Sequence, residues 1–109
     1  MRTNKMLGIN MRPLERLIGM KLLDAEMSVD GAGFQFSNCV LAAFNPVSLS
    51  TQLSEIIDTE VCAVSFQEGQ CFKLIFSNGP TISISLSPQD YSGPEAFCVT
   101  FSDNTIVVE

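Results

Sequence analysis

Ile82, Ile84 and Leu86 alternate strictly with Ser83, Ser85 and Ser87, a period of two that puts one set of side chains in a core and leaves the other wet. The same period runs through residues 60–66 and returns in residues 71–76, where Phe72, Leu74 and Phe76 share a face; Gln67-Glu68-Gly69-Gln70 supplies the turn between them. Residues 20–29 follow the scheme again: Leu23, Ala25 and Met27 alternate with Asp24, Glu26 and Ser28, so the first set is predicted to be buried. Asp30-Gly31-Ala32-Gly33 then reads as a hairpin turn and Phe34-Gln35-Phe36 as the returning strand. Residues 39–44 form a shorter apolar run that Asn45-Pro46 must end or push to an edge, because proline cannot donate to a ladder. The last hairpin is predicted over residues 96–101 and 105–108, with Phe97, Val99, Phe101 and Val108 inward and Val107 outward.

Two segments break the alternation with helical spacing. Pro13 suits a first helical turn, Leu14, Leu17 and Ile18 fall on one side, and Gly19 ends it. Ser50 is placed to cap a second helix over residues 51–57, about two turns long by its residue count, which needs tertiary packing to persist. Residues 87–95 fit neither period; two prolines and one glycine make them a firm connection.

One phrase recurs at the bends: Phe36-Ser37-Asn38, Phe76-Ser77-Asn78 and Phe101-Ser102-Asp103. Asn and Asp tolerate the left-handed backbone region, and the aromatic ring ahead of each turn would fix strand register. The likeness reaches upstream, since residues 14–19 align with residues 53–58, and Leu23, Ala25 and Met27 fall against Cys62, Val64 and Phe66. The expected fold is therefore mainly β: an antiparallel curved sheet, roll or partly open barrel of about eight strands from a duplicated unit, with two short helices. A single domain of 109 residues is expected, with 1–11 a mobile or loosely docked segment, 13–49 and 52–88 the two copies, and 95–109 a terminal hairpin. Met6 and Met11 leave the true start open.

The net charge of −6 is unevenly spread. Five of the six basic residues lie at or before Lys21, so Lys73 alone faces eleven acidic residues in the remainder. Such a surface repels phosphate, and nucleic-acid binding is not expected. The basic N-terminal stretch can touch an anionic partner or lie against the acidic body, and the second is the more economical expectation. No run approaches the roughly 20 apolar residues of a membrane span, and Met6-Leu7-Gly8-Ile9 stops short of an export signal, so a cytoplasmic protein without membrane attachment is expected. In that compartment Cys39, Cys62, Cys71 and Cys98 are expected as buried free thiols.

The absence of histidine removes the commonest general base and metal ligand; neither a cofactor nor a metal is expected. Acid–base chemistry would fall to Asp24 and Glu26, two apart on one strand face, although a solvated face is the plainer reading. The better candidate is an interaction surface on the firm connection: Asp90, Tyr91 and Glu95, with the only tyrosine between two carboxylates. Ile75, Val107 and Leu22 fall on faces that should be wet, which points to a symmetric partner, hence a homodimer.

Leu17-Ile18-Gly19, a strand, a hairpin carrying Phe-Ser-Asn, a second copy, and Asp90-Tyr91-x-Gly93-Pro94-Glu95-Ala96 together resemble small bacterial proteins of unknown function, some found near toxin–immunity systems. The resemblance implies a compact mainly-β bacterial protein and transfers no catalytic residue. The expected function is a non-enzymatic protein-binding module, immunity-like and self-associating. The alternative is a small-molecule binder with its pocket between the sheet and the two short helices; a carboxylate-dependent hydrolase ranks last.

Overall fold

The structure is a computed structural model that describes residues 12–29 and 31–109. The readings of residues 1–11 and of Asp30 fall outside the described residues. Among the described residues nine antiparallel strands form two sheets: β1 (Leu22–Ser28), β2 (Gly31–Phe36), β3 (Cys39–Ala43), β8 (Phe97–Phe101) and β9 (Ile106–Val108) in one; β4 (Val47–Leu49), β7 (Thr81–Ser85), β6 (Cys71–Phe76) and β5 (Val61–Gln67) in the other. Among the described residues helical structure is limited to α1 (Arg12–Glu15) and two 3-10 turns, Leu53–Glu55 and Pro88–Asp90. The fold is thus mainly β and antiparallel, as the alternation predicts, and the described strands close no barrel.

The inner faces of both sheets meet in one core. Phe34, Phe36, Leu41, Phe97, Val99 and Phe101 come from the first sheet, and Phe72, Leu74, Phe76, Ile82 and Ile84 from the second, all buried. Phe72 stacks on Phe97 across the interior with centroids 4.9 Å apart. Fully burying a side chain of this size stabilises by about 1.5–3 kcal/mol, so the rings hold the sheets together.

The two sheets join through a symmetric knot of backbone bonds. Gly19 donates to the Val61 carbonyl at 2.7 Å and Asp58 to the Leu22 carbonyl at 2.7 Å; Leu22 donates to Thr59 and Val61 to Met20, each at 3.0 Å. Lys21 bridges Glu60 between them. Each partner lies 39 positions from its counterpart, and each following strand carries the same irregularity, between Leu22 and Asp24 in β1 and between Val61 and Ala63 in β5. Beyond the knot, each half lays down three strands and then crosses over: β4 leaves the first half to pair with β7, and β8 leaves the second to pair with β3. Pro46 and the Pro88–Asp90 turn mark those crossings.

Several local expectations are corrected. The extra residue at the start of β1 reverses its parity, so Leu22 is in the core while Leu23 is 45% exposed. Met27 is likewise exposed, because it pairs with Ala32 near the open end of the sheet. The strand β2 begins at Gly31, inside the supposed turn. Ser50 caps no helix: its Oγ accepts from the Thr81 N–H at 2.8 Å, and the predicted two-turn helix is a single 3-10 turn. Ile18 is exposed although Leu14 and Leu17 are buried. At the bends, the left-handed region is occupied by Gly79, where the lack of a Cβ removes the penalty, and by Asn104, one residue after Asp103, while Asn38 and Asn78 need no such conformation. Val107 pairs with Val99 and turns inward, leaving Val108 outward.

Candidate functional site

The three residues proposed from sequence lie on one connection but do not form one surface. Asp90 is half-buried and its Oδ2 accepts a hydrogen bond from the Ser85 hydroxyl, which ties the turn to β7. It faces a cleft of about 450 Å³ between the β1–β2 turn and the Phe44–Val47 crossing. Tyr91 points the other way, half-buried against the core beside Phe66 and Leu86, where it lines a second cleft of about 400 Å³. Glu95 is half-buried and lines neither cleft. Consecutive side chains of this connection thus line different clefts.

Asp24 and Glu26 are both exposed on the outer face of β1, beside a shallow hollow of about 200 Å³. Asp24 Oδ1 accepts from the N–H of Ala25 at 2.8 Å, a local bond inside the strand irregularity. Such carboxylates are open to water and have no enclosed space in which to act. Among the described residues no three His, Cys, Asp or Glu side chains converge as metal ligands. Only Cys39 of the four thiols is buried; Cys62 is exposed and Cys71 and Cys98 are half-buried, because the latter three face outward from their sheets. Burial pushes the Cys39 thiol up to about 11, with the Arg16 charge pulling it partly back.

The basic segment does reach the acidic body through Arg16. Its Nη2 is 3.0 Å from Asp103 Oδ2, and its guanidinium lies 4.1 Å from the centroid of Phe101. Thr105 hydrogen bonds, with Arg16 adding to them, hold the Asp103 carboxyl below its ordinary value.

Strand register reveals a surface that the sequence reading missed. The pairings align Val40, Thr100 and Ile106 in one outward row and Ala42, Cys98 and Val108 in the next. Val40 is 46% and Ile106 59% exposed, and Phe44 extends the face beyond β3. None of these residues is charged; the same rows continue through Gln35 to Asp24 and through Gly33 to Glu26 at the β1 edge. The outer face of the other sheet is more polar: Ser48, Ser83, Lys73 and Ser65 align across it, flanked by Ser85, Cys71 and Gln67 on one side and by Thr81, Ile75 and Ala63 on the other. The available signal was the unbroken apolar run in residues 39–44, which is hydrophobic on both faces of a strand. By contrast, two of the residues first taken for a wet apolar patch, Leu22 and Val107, belong to the core.

No known protein family, curated protein or solved structure matches this chain.

Proposed function

We propose that this is a non-enzymatic protein-binding module that self-associates through the outer face of β3, β8 and β9. The observation that carries this reading is the contrast between the two outer faces: one is mostly Ser, Thr, Gln and Lys, with Cys71, Ile75 and Ala63 among them, while β3, β8 and β9 present Val40, Ala42, Cys98, Ile106 and Val108 with Thr100 as their one polar side chain. An apolar sheet face is unfavourable in water and is relieved when a like face covers it. A second copy suits it because β3, β8 and β9 bring no charge to the face and its carboxylates, Asp24 and Glu26, lie two strands away on β1, so two chains of net charge −6 meet there with little repulsion. The acidic remainder favours basic protein partners, and an immunity-like role against a basic target follows the same electrostatics.

Light scattering across a concentration series tests the reading. The protein is expected to run as a dimer, and Val40→Glu with Ile106→Glu, both at exposed positions, as a folded monomer. A wild-type monomer at high micromolar concentration overturns it.

One observation favours small-molecule binding as a second reading. Asn45 lines the larger cleft and is 2% exposed; its Nδ2 donates to the Ser85 carbonyl at 2.8 Å, while its buried Oδ1 has no hydrogen-bond partner. A ligand bearing a donor would satisfy that oxygen. The oxygen is sealed from solvent, so such a ligand must first displace its neighbours, and the cleft lies at the end of the two sheets rather than between sheet and helices. A thermal-shift screen of small amines and amides that gives no stabilisation removes this reading.

A further inference from the structure

Four strands border the two sheets, and three of them are protected against pairing with another chain. The strands β4 and β9 are three residues each, too short to template a partner. The strand β1 is seven residues but carries Asp24 and Glu26. The strand β5 is also seven residues, Val-Cys-Ala-Val-Ser-Phe-Gln, and has neither device: Ala63 and Ser65 stand 39 positions after Asp24 and Glu26, where β1 has its carboxylates. Among the described residues, the outer flank of β5 is paired only at Val61, by Gly19 and Met20.

We propose that β5 receives an extended segment of a partner protein by strand addition, a segment with alternating apolar residues and a basic residue at each end. The inner side of β5 presents Val64 and Phe66, half-buried and packed on the core, with the Phe66 ring 6.1 Å from Phe72. Alternate side chains of an added strand continue that inner layer, while its backbone takes up the free N–H and C=O groups. Past Phe66 the layer opens into the cleft of about 400 Å³ lined by Leu86, Pro88 and Tyr91 and also by Glu68 and Glu109, which has room for one larger side chain whose apolar body packs beside the first three. Exposed Glu60 and Glu68 flank the uncharged strand at its two ends, and they select cations there. The same two carboxylates disfavour a second copy: an antiparallel β5 pair centred on Val64 sets Glu60 against Glu68 twice. This inference rests on the protein-binding reading above but uses a different surface, so either can fail alone.

The test is a fluorescein-labelled peptide of alternating Val and Thr, with Phe near one end and Lys at both, titrated with full-length protein and followed by anisotropy. Saturable binding is expected, weakened at least tenfold by Ala63→Asp with Ser65→Glu. These substitutions reproduce the β1 pattern and leave the circular dichroism unchanged. Replacing both peptide lysines by glutamate should weaken binding to a similar degree, and hydrogen exchange should show β5 amides protected on peptide addition. Equal binding by the Ala63→Asp/Ser65→Glu protein or by the glutamate peptide overturns the proposal, as does absence of saturation at millimolar protein. A wild-type dimer that the same double substitution dissociates also overturns it, since β5 would then be occupied by a second copy.

Discussion

Asp58 holds in the second half of the chain the place that Gly19 holds in the first: each donates its N–H across the knot, and their φ angles are 73° and 93°. Only glycine adopts this region without cost, although aspartate tolerates it better than most residues. Asp58→Gly is therefore expected to stabilise by up to about 1 kcal/mol, strain relief being partly offset by the freer unfolded chain. Gly19→Ala, with open space around the new Cβ, should cost about 1–2 kcal/mol from the backbone alone. Urea unfolding of both variants measures the difference.

Phe72→Ala removes the ring that spans the interior and should cost about 3–5 kcal/mol. Combining it with Phe97→Ala should give less than the sum. The ring–ring coupling is about 0.5–1.5 kcal/mol beyond burial, readable from a double-mutant cycle by urea unfolding.

A Cβ on Gly31 would lie 2.6 Å from the Ala43 carbonyl oxygen, which is backbone and cannot swing aside. Gly31→Ala should thus cost about 1–3 kcal/mol by forcing β2 away from β3. Gly33→Ala, with nothing within 4 Å, serves as the control in the same melt.

Thermal or urea unfolding against pH should show two limbs. Asp103 has a lowered pKa when folded, so its contribution is present above the unfolded carboxylate range and disappears as pH falls through the folded value. Asp103→Asn should flatten that acid limb. Cys39 has a raised pKa, so between about 9 and about 11 the unfolded chain loses a proton that the folded one keeps, and stability falls as pH rises. Cys39→Ala should remove this alkaline component while costing some packing.

Alkylation by iodoacetamide under native conditions should reach Cys62 first and Cys39 last, in the order of their exposure. Mass spectrometry of timed aliquots shows the order; early labelling of Cys39 would mean that the sheet edge near Met20 opens readily, since Cys39 Sγ lies 3.5 Å from Met20 Sδ.

The clean alternations were readable because they are repeated without interruption: residues 71–76 and 82–86 bury the side chains their period predicts, and Phe97, Val99 and Phe101 follow suit. Parity failed wherever one residue was inserted. A single irregularity after Leu22 exchanged the inner and outer sets at the start of β1, and no composition cue distinguishes Leu22 from Leu23. The candidate surface was harder still, because Asp90 and Tyr91 adjoin in sequence yet part at a 3-10 turn. The apolar outer face was hidden in another way: Val40, Cys98 and Ile106 come from three separated strands, and only the pairing of β3 with β8 brings them together. Pairing across 58 positions, as between Leu41 and Val99, leaves no local trace.

The exchange of fourth strands between halves has a consequence for biosynthesis. Until Phe97–Val108 have been made, β3 has an open flank and Phe72 lacks its stacked ring, so the core shared by the two sheets cannot close on the ribosome. Nascent chains should accordingly stay protease-sensitive until those last residues emerge, then become resistant in one step.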